Sequence, residues 1–160
     1  MRISVIIPVY NVTQFLDEAI RSAVMQNYPE LETVVVDDGS APERREEIAE
    51  ICRRYPSVTY CHQPHLGAAA ARDFGVAQTA ADCIVFLDAD DVLAPGALSF
   101  FSTAMERLPE AIAVYGRVVN TDEDGQPTGG LQPVAAWIAP GAEVLEFLLE
   151  RKPPFCNGSI

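Results

Sequence analysis

The sequence is poor in positive charge. Lysine and arginine together number 11 against 23 aspartates and glutamates, which gives a formal net charge of −12 over 160 residues. We therefore expect no nucleic-acid partner and no charge-driven attachment to an anionic membrane. An acidic protein that binds a phosphorylated ligand needs local help, such as a helix N-terminus, an arginine or a divalent cation.

Cysteines and long apolar runs are also scarce. The four cysteines form no C-x-x-C pair and fit no disulfide framework, as is typical of a reducing compartment. No run approaches the roughly 18–20 apolar residues that span a bilayer. The start lacks the long apolar core of a signal peptide. We expect a cytoplasmic protein, or the soluble part of a longer one that lies peripherally at the inner face of the membrane.

Short β-branched runs alternate with longer amphipathic segments. Such alternation implies βαβ crossovers and a parallel sheet covered on both faces. The predicted fold class is therefore α/β, a three-layer α/β/α arrangement with a mostly parallel sheet. The pattern predicts strands over 3–10, 32–40, 57–62, 82–88 and 111–119, helices over 12–26, 41–55, 67–80, 94–108 and 141–152, and a surface hairpin or loop over 120–130.

Two polar pairs predict helix starts. Asn11 with Gln14, and Ser40 with Glu43, have the three-residue spacing of a capping box. In that motif the first side chain accepts a hydrogen bond from the helix backbone, and the second side chain accepts one from the backbone amide of the first residue. We therefore expect Asn11 and Ser40 to cap the helices that follow them.

Polar residues are concentrated where three predicted strands end. The first strand ends in Pro8-Val9-Tyr10-Asn11, the second in Asp37-Asp38-Gly39-Ser40 and the fourth in Asp88-Ala89-Asp90-Asp91. Ligands of open parallel sheets bind beyond the carboxyl ends of the strands. One acidic strand end is commonly a cap or a turn. Polar groups at three ends of one edge favour a binding site.

The spacing of Asp88 and Asp90 indicates a cation. In an extended segment, residues two apart point the same way, so both carboxylates would face one pocket. Two like charges so close cost free energy unless a cation joins them. Mg²⁺ and Mn²⁺ prefer oxygen ligands, and Mg²⁺ commonly takes one or two carboxylates plus the phosphates of a substrate.

Four motifs together resemble family 2 glycosyltransferases with the GT-A fold, a Rossmann-like fold for nucleotide-diphospho-sugar transferases. They are "SVIIPVYN" (4–11), "VVVDDGS" (34–40), "GAAAARDFG" (67–75) and "LDADD" (87–91), in that order. Asp73 departs from the pattern, since the family usually has asparagine there. The resemblance covers roughly the first 100 residues, as the extent of these motifs shows.

The resemblance implies a nucleotide site. The backbone near Pro8 and the ring of Tyr10 would line the base. Asp38, with Asp37 nearby, would accept hydrogen bonds from the edge of the base. Gly67 would let the backbone turn close to the nucleotide.

The resemblance also implies a diphosphate and metal site. Arg72 would lie near the nucleotide, and Asp88 would contact the ribose or the sugar. Asp90, with Asp88, would ligate Mg²⁺ or Mn²⁺ bridging the diphosphate. Asp91 would support the metal ligands without binding the metal itself.

The implied activity is transfer of a sugar from a nucleotide-sugar donor, a UDP-sugar by default, to a hydroxyl of a carbohydrate or lipid-linked acceptor, with inversion. Polysaccharide or cell-envelope biosynthesis is the expected setting. Inversion needs a general base, and no clear candidate follows from the sequence. The weak candidates are Asp122, Glu123, Asp124 and Glu143.

The expected organisation is a single GT-A-type domain over 1–160, truncated before its acceptor-binding half. Residues 1–100 would form the nucleotide-binding part and 101–160 the start of the remainder. Apolar surface around Trp137, Phe147 and Phe155 would then favour self-association.

Three alternatives stay open. A receiver-type phosphoacceptor domain has similar acidic strand ends, but its paired aspartates follow the first strand. A dinucleotide-binding oxidoreductase would need G-x-G-x-x-G where this chain has "PVYNVT" (8–13). A non-catalytic nucleotide-sugar-binding module fits every donor motif.

A zinc site at Cys61, His62 and His65 lacks a fourth ligand.

Overall fold

The computed structural model describes residues 1–111, 113–114, 116, 118–122 and 125–129. The chain divides into two compact units, Met1–Leu98 and Ser99–Ile160. Strands and helices alternate as expected. The elements are β1 (Ile3–Val9), α1 (Leu16–Val24), β2 (Leu31–Asp38), α2 (Pro42–Arg53), β3 (Val58–Gln63), α3 (Ala68–Val76), β4 (Cys83–Phe86) and α4 (Ala97–Arg107).

Strand β1 lies at the centre of a parallel sheet. The order is β3-β2-β1-β4, and Ile3 of β1 is in register with Leu31 of β2 and Cys83 of β4. All seven residues of β1 are buried. A strand covered on both faces is a continuous apolar run rather than an alternating one, which explains "ISVIIPV".

The order of the strands decides which face each helix covers. From β1 to β3 the chain moves in one direction along the sheet, and it then returns past β1 to β4. Because parallel crossovers are right-handed, α1 and α2 cover one face and α3 covers the other. Helices α1 and α2 pack on each other, while α3 packs on β1 and β2. The predicted three-layer α/β/α class with a mostly parallel sheet is confirmed.

Neither predicted helix cap forms as expected. The N-cap residues are Phe15 for α1 and Ala41 for α2, and neither makes a side-chain capping bond. The Asn11 amide instead donates to Ser40 Oγ, and the Ala41 amide donates to Asn11 Oδ1, each at 2.9 Å. Asn11 has a φ of 56°, a left-handed conformation that asparagine tolerates. Both side chains therefore join the loops after β1 and β2.

The expectations beyond α4 had mixed outcomes. The described residues of 111–119 form no strand, since an apolar pattern alone supplies no partner for a ladder of hydrogen bonds. The hairpin is confirmed by an antiparallel bridge between Thr121 and Pro127. The helix over 141–152 and the apolar surface at Trp137, Phe147 and Phe155 lie outside the described residues. No helix within the described part is long and apolar enough to cross a membrane.

Gly75 allows α3 to approach the sheet. A Cβ at this position would lie 2.4 Å from Ile6 Cγ2 and 3.1 Å from Val36 Cγ2. Both side chains are buried in the cluster beneath α3, and β-branched side chains cannot easily rotate away.

We predict that Gly75→Ala destabilises the protein. Alanine adds about 1 kcal/mol of helix propensity, but overpacking a core typically costs about 1–3 kcal/mol. A lower urea midpoint would be measured by circular dichroism. Gly129→Ala is the control, since nothing lies within 4 Å of its Cβ position. An unchanged or higher midpoint for Gly75→Ala would show that α3 can shift at no cost.

Candidate nucleotide and metal site

The carboxyl ends of β1, β2 and β4 lie together at one edge of the sheet. The order of the strands reverses between β1 and β4, because the crossover after β1 leads to one side and β4 returns on the other. Such a reversal opens a crevice between the two strands, and open α/β sheets bind ligands there. Pro8 lies buried inside β1 in register with Val36, and Tyr10 is the first residue after the strand.

Asp38 is a buried carboxylate with several hydrogen-bond donors at this edge. It is only 2% exposed, and it accepts from Gln63 Nε2 at 2.6 Å, the Leu66 amide at 3.0 Å and the Gly67 amide at 2.8 Å. His65 Nδ1 lies 2.9 Å from its second oxygen. Burial alone would raise the pKa of the Asp38 carboxyl, but these hydrogen bonds outweigh burial and lower it. The carboxylate therefore fixes the loop between β3 and α3.

Tyr10 and His65 form a stacked aromatic pair. Their ring centroids are 4.0 Å apart with an interplanar angle of 21°. Tyr10 is 45% exposed, and the His65 side chain is half exposed. Gly39 makes this approach possible, since a Cβ on it would lie 2.3 Å from the His65 amide nitrogen. The pair presents an aromatic surface at the end of β1.

Asp37 points to the opposite face of the sheet from Asp38, as neighbours in a strand must. It is fully buried. Its carboxylate accepts from the Ser40 amide at 2.9 Å and from Tyr60 Oη at 3.0 Å, and Arg45 Nε lies 3.9 Å away. Its partners lie around α2, so it supports the start of that helix.

Arg72, on α3, forms an ion pair with Asp88, which follows β4. Arg72 Nη2 lies 2.5 Å from Asp88 Oδ1, and both side chains are about one quarter exposed. The Arg72 guanidinium also lies 5.9 Å from the centroid of the half-exposed Phe86 ring. Gly67, at the N-cap of α3, has a φ of 93° and open space around its Cβ position.

Asp88-Ala89-Asp90-Asp91 forms a turn, which corrects the expectation of an extended segment. The Asp91 amide donates to the Asp88 carbonyl at 3.1 Å, because β4 has already ended at Phe86. Burial, together with the charges of Asp90 and Asp88, raises the pKa of Asp91 to about 6. The turn, rather than strand alternation, brings Asp88 and Asp90 near each other and near Asp91.

The turn fits one divalent cation held jointly with a ligand. Asp90 is exposed, Asp88 is shared with Arg72, and Asp91 is partly buried beside both carboxylates. The described residues contain no cluster of three or more side chains that could hold a metal alone. Such a donor set suits Mg²⁺ or Mn²⁺ that takes its remaining ligands from phosphates and water.

Sequence reasoning missed four residues that build this edge. Gln63 and His65 bond to Asp38, while Ser22 and Gln26 bond to the segment after the turn. The last two had a detectable pattern, because Ser22 and Gln26 continue the buried stripe of α1 at helical spacing. No comparable pattern in the sequence marked His65 as a neighbour of Tyr10.

The comparisons with known proteins agree with this geometry. The family model for glycosyl transferase family 2 matches residues 4–159. The chain belongs to glycosyl transferase family 2. An uncharacterized glycosyltransferase of Rickettsia conorii is 40% identical over 91 residues, which are 57% of this chain and 15% of that protein. The family 2 chain thus spans a small part of the length of this relative.

Two solved structures resemble the family 2 chain in fold. S. aureus TarS 1-349 in complex with UDP-GlcNAc is 26% identical, with a TM-score of 0.60 over 76% of this chain and 37% of that one. The mannosyltransferase PcManGT of Pyrobaculum calidifontis, in complex with GDP-Man and Mn²⁺, is 23% identical, with a TM-score of 0.60 over 69% and 33%. The resemblance to GT-A glycosyltransferases is therefore confirmed.

The receiver-type alternative loses its support. Family 2 membership replaces it, and Asp37 and Asp38 are both buried and engaged by internal donors. A phosphoacceptor carboxylate must be accessible to its phosphoryl donor. The assignment of Pro8, Tyr10, Asp37, Asp38, Gly67, Arg72, Asp88 and Asp90 to donor and metal binding stays a prediction.

We predict that Asp38→Ala destabilises the fold at pH 7 by about 1–3 kcal/mol, the cost of leaving buried donors unsatisfied. The folded-state pKa of Asp38 is lowered, so its stabilisation is present above the unfolded value near 4 and is lost as pH falls through the folded value. Urea unfolding at pH 7 and at pH 3 would measure this. The difference between wild type and variant should shrink at pH 3, and a constant difference would contradict the argument.

We predict the opposite sign for Asp91→Asn. Because the folded-state pKa of Asp91 is raised to about 6, its ionisation opposes folding as pH rises from about 4 to 6. In EDTA, the variant should be more stable than wild type at pH 7, by about 1–3 kcal/mol, and equal to it at pH 4. Glu50→Gln, at an exposed ion pair, is the control. Equal stability at both pH values would show that neither burial nor the neighbouring carboxylates oppose the ionisation of Asp91.

Proposed function

We propose that this chain supplies the donor-binding part of a glycosyltransferase that uses a nucleotide-diphospho-sugar, with a UDP-sugar as the default donor. The observation that carries the proposal is the turn Asp88–Asp91 beside Arg72, at the reversal of strand order next to the Tyr10–His65 pair. This arrangement places an aromatic surface, the positively charged Arg72 guanidinium and a group of carboxylates at one edge of the sheet. The TarS structure, which has the same fold, holds UDP-GlcNAc.

The aromatic pair would bind the base. Tyr10 and His65 expose about half of their surfaces. Aromatic rings can stack on any nucleobase, because every base has a π-face. Asp38 would support this surface by holding His65 and the loop that follows. Direct contact between Asp38 and a base would require one internal partner to leave. The Gln63 and His65 side chains can rotate away, whereas the other two donors are backbone amides.

The acidic turn would hold the diphosphate through a cation. Asp90, with Asp88, would bind Mg²⁺ or Mn²⁺, which neutralises charge on the leaving diphosphate. Arg72 supplies a second positive charge near the same place. A net charge of −12 makes such local compensation necessary.

The acceptor would be a hydroxyl of a carbohydrate or a lipid-linked sugar, in polysaccharide or cell-envelope biosynthesis, with inversion at the sugar. No general base is assigned. The Asp122 carboxylate accepts from the Gln126 amide at 2.8 Å in the hairpin, and Glu123, Asp124 and Glu143 lie outside the described residues. A non-catalytic nucleotide-sugar-binding module remains the second candidate, since the donor groups alone would serve it.

We predict metal-dependent nucleotide binding through Asp90. Calorimetry should show that UDP binds in Mn²⁺ or Mg²⁺ and at least about 10-fold more weakly in EDTA, because phosphates and carboxylates repel without the cation. Asp90→Asn should remove most of the metal effect. Asp82→Asn is the matched control, since Asp82 is an exposed carboxylate at the opposite end of β4. Equal UDP binding in EDTA would refute the metal argument.

An assay of sugar transfer distinguishes a glycosyltransferase from a non-catalytic binding module. Incubation of the chain, and of a longer form of the same protein, with labelled UDP-sugars and carbohydrate acceptors would measure it. Transfer by the longer form that is lost in Asp90→Asn supports the enzyme. Binding without transfer by either form favours the module.

A further inference from the structure

The segment after the acidic turn is bonded to α1. Ser22 Oγ donates to the Ala19 carbonyl at 2.8 Å and accepts from the Leu93 amide at 3.0 Å. The hydroxyl is thereby fixed in direction, since its proton is engaged within the helix. The backbone two residues beyond Asp91 is anchored to a side chain of a rigid element.

Gln26 continues the same contact. It lies just past the end of α1 and is only 8% exposed. Its Nε2 donates to the Ala94 carbonyl at 3.0 Å and to the Ser22 carbonyl at 3.1 Å, while its Oε1 accepts from the Leu98 amide at 3.2 Å. The Leu98 amide is one of the first amides of α4, which have no partner within their helix.

The backbone is hydrogen-bonded to a neighbouring element on each side of the acidic turn. Before the turn, the Leu87 amide donates to the Ile6 carbonyl of β1 at 3.0 Å. After the turn, the Leu93 amide donates to Ser22. Asp88–Asp91 is therefore held between the central strand and α1, with the turn's own backbone bond and the Arg72 ion pair in addition.

We infer that Ser22 and Gln26 are positioning residues for the metal-bearing turn. The inference rests on the proposed function, since it assumes that Asp90 holds the cation. Both side chains bond to the backbone that follows the turn, at Leu93, Ala94 and Leu98, rather than to the carboxylates themselves. A turn that carries three like charges resists close approach of its side chains, so an external anchor is what keeps them together without a cation.

The chemistry of position 26 requires a primary amide. The side chain faces three carbonyl oxygens with one end, the Leu93 oxygen being the most distant at 3.5 Å, and an amide N–H with the other. A carboxylate of the same shape accepts from Leu98 but has no proton for the Ser22 and Ala94 carbonyls. Gln26→Glu thus preserves volume and reverses one half of the contact, which makes it a sharper test than truncation.

The experiment compares the 160-residue chain with Gln26→Glu, Ser22→Ala and the conservative Ser22→Thr. Gln78→Glu is the matched control, because Gln78 also follows its helix, α3, by two residues but is exposed. Calorimetry would measure UDP affinity as a function of Mn²⁺ concentration. Hydrogen exchange, followed by mass spectrometry, would measure the protection of the 87–98 backbone without any ligand.

We expect Gln26→Glu and Ser22→Ala to need about 10-fold more Mn²⁺ for half-maximal UDP binding, the usual effect of removing a residue that orients metal ligands. Near-normal UDP affinity should return at saturating Mn²⁺. Exchange should be faster over 87–98 and unchanged in β2 and α2. Ser22→Thr and Gln78→Glu should behave as wild type.

Two results would overturn the inference while the proposed function stands. One is a Mn²⁺ requirement equal to that of wild type despite faster exchange over 87–98. The other is a loss of UDP affinity that saturating Mn²⁺ does not restore, together with faster exchange throughout the chain, since that indicates general destabilisation. A wild-type chain that binds UDP without any metal dependence overturns the proposed metal site, and the inference with it.

Discussion

Strand β1 lies between β2 and β4, and this central position sets where the helices and the candidate site can lie. It is buried along its whole length and has neighbours on both sides. The chain moves from β1 to β3 in one direction and then returns past β1 to β4. Because the crossovers are right-handed, this return places α3 on the face opposite α1 and α2. The crevice, the two aromatic rings and the acidic turn all lie at its carboxyl end.

Two carboxylates in adjacent positions serve different parts of this edge. Asp37 and Asp38 point to opposite faces because they are neighbours in β2. Asp37 bonds to groups around α2, and Asp38 bonds to the loop that leads into α3. Each buried charge is satisfied by several donors, as burial requires. One short motif thereby joins both helical layers to the sheet at the edge where the site lies.

The acidic turn at 88–91 is an arrangement under electrostatic stress. Asp91 is less easily ionised because of burial and of two neighbouring charges. The anchors at Leu87 and Leu93 hold the turn in place without a ligand. A cation bound at the turn would compensate this repulsion, and its binding would then stabilise the folded state.

The alternation of strands and helices, the parallel sheet and the polar strand ends could all be predicted from the sequence. These features rest on local patterns: continuous apolar runs for buried strands, periodic apolar stripes for helices, and aspartates where strands stop. The resemblance carried by four motifs also determined the family. Element ends were less predictable, since β4 stops at Phe86 and Asp88–Asp91 turns rather than extends.

Contacts between side chains that are distant in sequence became visible only in the folded protein. Tyr10 and His65 are distant in sequence and stack because Gly39 lets their loops approach. Asn11 and Ser40 bond across two loops instead of capping their own helices, because a hydroxyl or amide takes the nearest unsatisfied donor in space. Gln26 meets Leu98 for the same reason. Hydrogen bonds depend on distance and angle, and no local pattern of residues encodes either for groups that folding alone brings together.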